Sequence, residues 1–140
     1  MRVIGLDVGE RRIGVALSDP TATIASPLEV VAITDVESAY AAIAGLVSQH
    51  QAGEIVVGMP YSLSGRAGPA AENVRKFVNE LSRRLQVRVV TWDERLSTVA
   101  ADRSMREAGV KRKKRSNLRD AIAAALILQG YLNSRHIRSE

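Results

Sequence analysis

The sequence predicts an α/β protein built on a five-stranded mixed sheet, with antiparallel first three strands, then two parallel strands, and helices on both faces. Three observations carry this expectation. Residues 1–33 hold three strand-like runs with no helical stripe between them, the pattern of successive hairpins. From residue 34 onward, apolar stripes of helical period alternate with short apolar runs, the pattern of βα units joined by right-handed crossovers. The opening run, Arg2-Val3-Ile4-Gly5-Leu6-Asp7-Val8-Gly9, is apolar on both parities, as a central strand covered on both faces should be.

That run is the first strand. A turn at Gly9-Glu10-Arg11-Arg12 leads into Ile13 to Ser18, where large and small residues alternate, and Asp19-Pro20 ends this second strand. Ala25 to Ile33 forms a third, edge-like near Pro27. Thr34-Asp35 offers an N-cap to a helix with Ala39, Ala42, Ile43, Leu46 and Val47 on one stripe, ending around Gln51 and stopped by Gly53. Glu54 to Gly58 is a short apolar interior strand. The loop from Met59 to Pro69 is rich in breakers and is a candidate gate over substrate, with Gly58, Pro60, Gly65 and Gly68 as its bends.

A second helix runs from about Pro69 to Leu85, with proline in its first turn. Val87 to Trp92 is the fifth strand, and Asp93-Glu94-Arg95 lies at its exit. Ser97 or Thr98 caps a third helix running to about Ala108, whose exposed residues are candidates for a homodimer surface. The last helix is expected from about Asn117 to Leu132, with Ala121 to Leu128 buried nearly all round and a frayed tail over 134–140. No linker or repeat divides the chain, so residues 1–140 read as a single domain.

Composition narrows the chemistry. The 140 residues include no cysteine, which excludes disulfides, thiolate zinc sites and cysteine nucleophiles and fits a cytoplasmic location. No apolar run is long enough to span a membrane. Twenty basic against fifteen acidic residues give a net charge of +5, which favours a polyanionic partner such as nucleic acid.

Three acids stand out. Asp7 lies inside an apolar strand, sharing a face with Val3, Gly5 and Gly9, and a buried carboxylate needs a donor, a cation or water. Without a ligand it would be a carboxylate hydrogen-bonded at a strand end. Asp93-Glu94 follows a strand expected to be parallel to the first, and ligands of open α/β sheets bind beyond the carboxyl ends of strands. Asp120 opens the most apolar helix, whose Ala123 and Ala124 permit close approach to the sheet. Stabilisation of the helix dipole in the first turn is its competing explanation. If Asp7, Glu94 and Asp120 share one pocket, their mutual repulsion calls for a cation, and hard oxygen donors point to Mg2+ or Mn2+, bound as a two-metal site. Such a centre suits phosphodiester hydrolysis. Neither His50 nor His136 looks involved.

Basic residues crowd the segment from Arg103 to Arg119, including Lys111, Arg112, Lys113, Lys114, Arg115 and Arg119, with Glu107 the one acid among them. This reads as an arm that positions a phosphate backbone, with affinity falling steeply in salt. Aromatic content of 4% makes base stacking a minor device.

Five stretches together resemble one family across nearly the whole chain. They are Gly5-Leu6-Asp7-Val8-Gly9, Arg12-Ile13-Gly14-Val15-Ala16, Val56-Val57-Gly58-Met59-Pro60, Asp93-Glu94-Arg95-Leu96-Ser97-Thr98 and the helix of Asp120. They look like the YqgF (RuvX) family, which is similar to RuvC resolvases and has a ribonuclease-H-like fold. The resemblance implies a metal-dependent nuclease acting on a Holliday-type DNA junction or on the 5′ end of pre-16S ribosomal RNA. It puts the catalytic acids on Asp7, Glu94 and Asp120, with Asp93 the less favoured neighbour. Arg11, Arg12 and Arg95 join the basic arm as candidates for nucleic-acid contact. Met59 and Arg119 depart from the family pattern, the second placing a charge beside Asp120. Two other classes compete. A non-catalytic nucleic-acid-binding protein of the same fold would not need the acids. An actin-like or sugar-kinase ATPase shares the hairpin but needs a second such domain.

Overall fold

The computed structural model describes residues 1–61, 68–94 and 112–139, with side chains described throughout except at 112–118 and 136–139. Strand β1 (Arg2–Val8) pairs antiparallel with β2 (Arg12–Ser18), and β2 pairs antiparallel with β3 (Ala25–Ala32). On the other side of β1 lies β4 (Ala52–Met59), parallel to it, and then β5 (Arg88–Asp93), parallel to β4. The order β3-β2-β1-β4-β5 is the expected mixed sheet, with β1 at its centre.

Helices α1 (Val36–His50) and α2 (Pro69–Arg84) pack on one face. Asp35 caps α1, accepting the backbone N–H of Ser38 and its hydroxyl, each at 2.8 Å. Gln51 closes α1 in the left-handed region at φ 53°. Gly53, expected to stop this helix, instead lies within β4 against the Met1 thioether. Pro69 starts α2, where its missing N–H costs nothing. Ile4, Leu6, Ile13, Val15, Ile55 and Val57 are fully buried beneath these two helices. At roughly 1.5–3 kcal/mol for each large side chain, this is the thicker half of the core.

A single helix, α3 (Arg112–Ser139), covers the opposite face. It differs from expectation at both ends. It begins near the start of the basic run, because Lys and Arg are good helix formers and need no apolar stripe to extend a packed helix. It runs on to Ser139, past the expected end at Leu132, and near that end Arg135 Nη1 and the Tyr131 hydroxyl donate to one oxygen of the buried Glu54 carboxylate, at 2.8 and 2.9 Å. Nor is its middle buried all round: Ile122, Ala123 and Leu126 are half-buried. The expected helix over 97–108 lies outside the described residues.

Small residues let α3 lie directly on the sheet. A Cβ on Gly5 would fall 2.7 Å from Leu128 Cβ and 3.0 Å from the Ala124 carbonyl oxygen. One on Gly14 would collide with the carbonyl oxygen of Asp120. The sheet thus presents bare backbone where the helix crosses it, and Ala16, Ala121 and Ala124 extend the close contact.

Candidate active site at the carboxyl end of the central strands

The site grows from the register of three neighbouring strands. Asp7 is paired across from Gly14 of β2. On the other side, Leu6 pairs with Val57 in a parallel ladder, so Asp7 comes level with Gly58 of β4. All three positions face α3. The central carboxylate is therefore flanked by two glycines at strand spacings of about 4.8 Å.

The other two acids stand over those glycines. The Asp120 backbone rests on Gly14, and Glu94 Oε2 would lie 2.8 Å from a Cβ on Gly58. Parity explains why Glu94 is the residue over Gly58: Val90 and Trp92 of β5 face α3, so Asp93 points to the opposite side. Asp120, Asp7 and Glu94 consequently stand in a row over β2, β1 and β4.

The electrostatics repeat this order. Burial, followed by the charge of Asp120, lifts the Asp7 carboxyl from 3.8 to about 6. Burial, followed by the charges of Asp7 and Asp93, lifts Glu94 from 4.5 to about 7. Asp7 is the middle member, repelled by one neighbour and repelling the other. Asp120 is held differently, with its Oδ2 accepting from Arg12 Nε at 2.8 Å. It also lies more than two turns into α3, which removes first-turn dipole stabilisation as the reason for an acid there.

Among the described residues no three acids or histidines close around one point as a metal-holding set. The carboxylates are neighbours along a row, with the Asp120 side chain turned to Arg12. Their chemistry nevertheless suits a hard divalent cation. They offer oxygen donors, and their charges repel one another until a positive charge intervenes.

The remaining candidates are scattered. Arg11 is exposed in the β1–β2 turn and accepts the Ile33 N–H on its carbonyl at 2.8 Å. Arg119 is exposed beside Asp120. Arg112, Lys113, Lys114 and Arg115 lie in the first turns of α3, with their side chains outside the described atoms. Arg95, Lys111 and Gly65 lie outside the described residues. Of the expected gate, Gly58 belongs to β4 beneath Glu94, and Gly68 caps α2. Pro60 lines a cavity of about 590 Å3 with Val8, Gly9, Tyr40, Asn73 and Phe77, which contains none of the three acids. His50 ends α1 on the other face. The sequence reading missed Gly14 as a docking point. The available signal was that Gly5, Gly14, Ala16 and Gly58 share one parity face, whose lack of bulk leaves room for a helix.

Comparison with known proteins places the chain in a family. Residues 1–134 match the family described as "RuvX: Holliday junction resolvase". A protein of Halothermothrix orenii described as "Putative pre-16S rRNA nuclease" is 48% identical over 133 residues, 95% of each chain. One of Desulforamulus reducens with the same description is 44% identical over 134 residues, 96% of this chain and 98% of its own. Among solved structures, T. thermophilus RuvC in complex with Holliday junction substrate superposes with a TM-score of 0.61 at 19% identity, covering 97% of this chain and 96% of its own. The fowlpox virus Holliday junction resolvase gives a TM-score of 0.59 at 13% identity, covering 96% and 99%. At these identities the two structures establish the ribonuclease-H-like fold alone. No described helix is long and apolar enough to cross a membrane. With its sheet order, its covering helices and a family match over nearly its full length, the chain belongs to the RuvX (YqgF) family of nucleases.

Proposed function

We propose that the protein is a Mg2+- or Mn2+-dependent nuclease that hydrolyses phosphodiester bonds of the precursor of 16S ribosomal RNA at the row of Asp120, Asp7 and Glu94. The observation that carries this reading is the row itself: three carboxylates over three adjacent strands, two of them above glycines that leave room for nothing bulkier. The choice of RNA follows the description shared by relatives at 44–48% identity. Four-way DNA junctions are the second reading, favoured by the family description.

Asp7, Glu94 and Asp120 would hold the cation. When bound, it supplies activation of the attacking water and stabilisation of the charge that develops on the phosphate. The chain supplies the rest. β1 fixes Asp7 at the centre of a rigid sheet, so its carboxylate needs no reorganisation. The glycines keep bulk away from the row. In the metal-free protein Asp7 and Glu94 hold their protons up to about pH 6 and about pH 7, so protons compete with the cation for these two carboxylates. Basic side chains at the start of α3 bind backbone phosphates without reading bases.

The test uses a labelled pre-16S RNA fragment and a labelled four-way DNA junction. Each is incubated in MgCl2, MnCl2 or EDTA with the wild type and with Asp7→Asn. Cleavage of the RNA that requires a divalent cation and is lost in Asp7→Asn supports the proposal. Cleavage of the junction alone transfers it to DNA. Salt-sensitive binding with no cleavage of either would favour a non-catalytic nucleic-acid-binding protein.

A further inference from the structure

We propose that Arg12 is a positioning residue which clamps Asp120 in the metal-free protein and transfers to a substrate phosphate when a divalent cation takes that carboxylate. The inference rests on the metal-dependent reading above and adds to it a coupling between cation and nucleic acid.

The contact is specific in its atoms. Arg12 Nε donates to Asp120 Oδ2 at 2.8 Å, joining the first residue of β2 to α3 across 108 positions of sequence. The side chains are 45% and 27% exposed. An exposed pair of this kind is weak and exchangeable. The bond uses Nε, so Nη1 and Nη2 take no part in it. A guanidinium edge that presents two N–H groups is the geometry that suits a phosphate.

Arg12 also stands where a phosphate would arrive. It shares a strand face with Gly14 and is a diagonal neighbour of Asp7, at the lip of the row. Its charge is nonetheless directed to Asp120. A divalent cation on the same oxygen would compete with it for one lone-pair site and repel it. The displaced guanidinium would then meet incoming phosphate within one side-chain length.

The clamp is not needed to hold α3 in place. The helix already rests on Gly14 through its backbone and on Gly5 through Ala124 and Leu128. A purely structural pin and an exchangeable clamp therefore predict opposite results. If Arg12 only pinned Asp120, its loss would loosen the carboxylate and weaken cation binding. If Arg12 competes for Asp120, its loss frees the carboxylate and tightens cation binding.

The first measurement is calorimetric titration of MnCl2 into the wild type, Arg12→Ala, Arg12→Lys and Asp120→Asn, without nucleic acid. Arg12→Ala is expected to bind Mn2+ about two- to fivefold more tightly than the wild type, the strength of an exposed ion pair. Arg12→Lys, which keeps the charge and loses the Nε donor, should fall between them and carries the test if Arg12→Ala does not fold. Unchanged or weaker binding in the folded variants would overturn the clamp while leaving the metal reading intact. No Mn2+ binding by the wild type would remove the metal reading and the clamp with it.

The second measurement is a double-mutant cycle in EDTA, reading the anisotropy of a labelled single-stranded RNA. Asp120→Asn should tighten RNA binding at least twofold more in the Arg12 background than in Arg12→Ala, since only the former has a guanidinium to release. Equal gains in both backgrounds would mean that only the charge of Asp120 matters, and the transfer to phosphate would be wrong.

Discussion

Asp7 gains nothing from folding while it is ionised. In the unfolded chain its carboxyl titrates near 3.9. In the folded chain burial and Asp120 raise it to about 6. The native state therefore holds this proton more tightly than the unfolded state does, and stability declines as pH rises through that interval. Below about pH 4 both states are protonated and the effect vanishes. Asp7→Asn mimics the protonated acid. In EDTA at pH 8 it is expected to be more stable than the wild type by about 1–3 kcal/mol, with no difference near pH 4. Urea denaturation at the two pH values measures this, and equal stabilities at pH 8 would show that Asp7 carries no such strain. The same shifts set the reaction. Protons that leave Asp7 at about pH 6 and Glu94 at about pH 7 compete with the cation, so at subsaturating Mg2+ kcat/KM is expected to rise from pH 5 to 7.5 and then level off. A flat profile over that range would separate these two carboxylates from the rate.

At the scale of elements, the close contact between α3 and the sheet distinguishes two glycines that look alike in the sequence. A Cβ at Gly14 meets a main-chain oxygen, which cannot swing aside, so the helix must lift. Gly14→Ala is expected to lose about 1–3 kcal/mol and to carry Asp120 away from Asp7. A Cβ at Gly58 meets the ends of two flexible side chains, Ile127 Cδ1 at 2.5 Å and Glu94 Oε2 at 2.8 Å. Gly58→Ala should melt closer to the wild type yet lose most of its turnover, because Glu94 must yield along with Ile127. Thermal melts beside single-turnover cleavage separate the two cases, and full turnover in Gly58→Ala would remove Glu94 from the chemistry. The sequence made some of this legible. An aspartate in a two-faced apolar strand is visible without coordinates, and so are the capping Asp35 and the proline that starts α2. The start of α3 was not legible, because its first turns carry charge and no apolar stripe, and charge looks the same on a solvated arm as on a helix. A first-turn explanation for Asp120 is consequently open in the sequence, and the long helix removes it. The partner of Gly14 was hidden for a different reason: a glycine shows that something approaches, but only tertiary packing shows what.

At the scale of the whole molecule, the distribution of charge matters more than its sum. On the α1–α2 side, Glu37 and Glu80 pair with Arg84, and Glu72 pairs with Arg75. At the opposite end of the sheet from the row, Glu54 is neutralised by Arg135 at 2.8 Å, with Arg88 at 3.7 Å. In the carboxylate row Asp120 pairs with Arg12, and Asp120 lies on the same helix as Lys113, Lys114 and Arg115. The basic run and Asp120 thus lie within about three turns of one helix. A strand drawn to the first turns of α3 comes near a repelling row unless a cation is present. Affinity for single-stranded RNA should therefore fall steeply with salt, and it should be higher in CaCl2 than in EDTA at equal ionic strength. Each phosphate contact on a single strand contributes about 0.7 to the slope of log affinity against log salt. Replacing Lys113, Lys114 and Arg115 together by Gln is expected to reduce that slope by about 2 and to weaken binding equally for all sequences. The measurement is anisotropy of a labelled RNA across a salt series with wild type and triple variant. An unchanged slope would mean that phosphates are held elsewhere, and that the proximity of this basic run to the row has no part in binding.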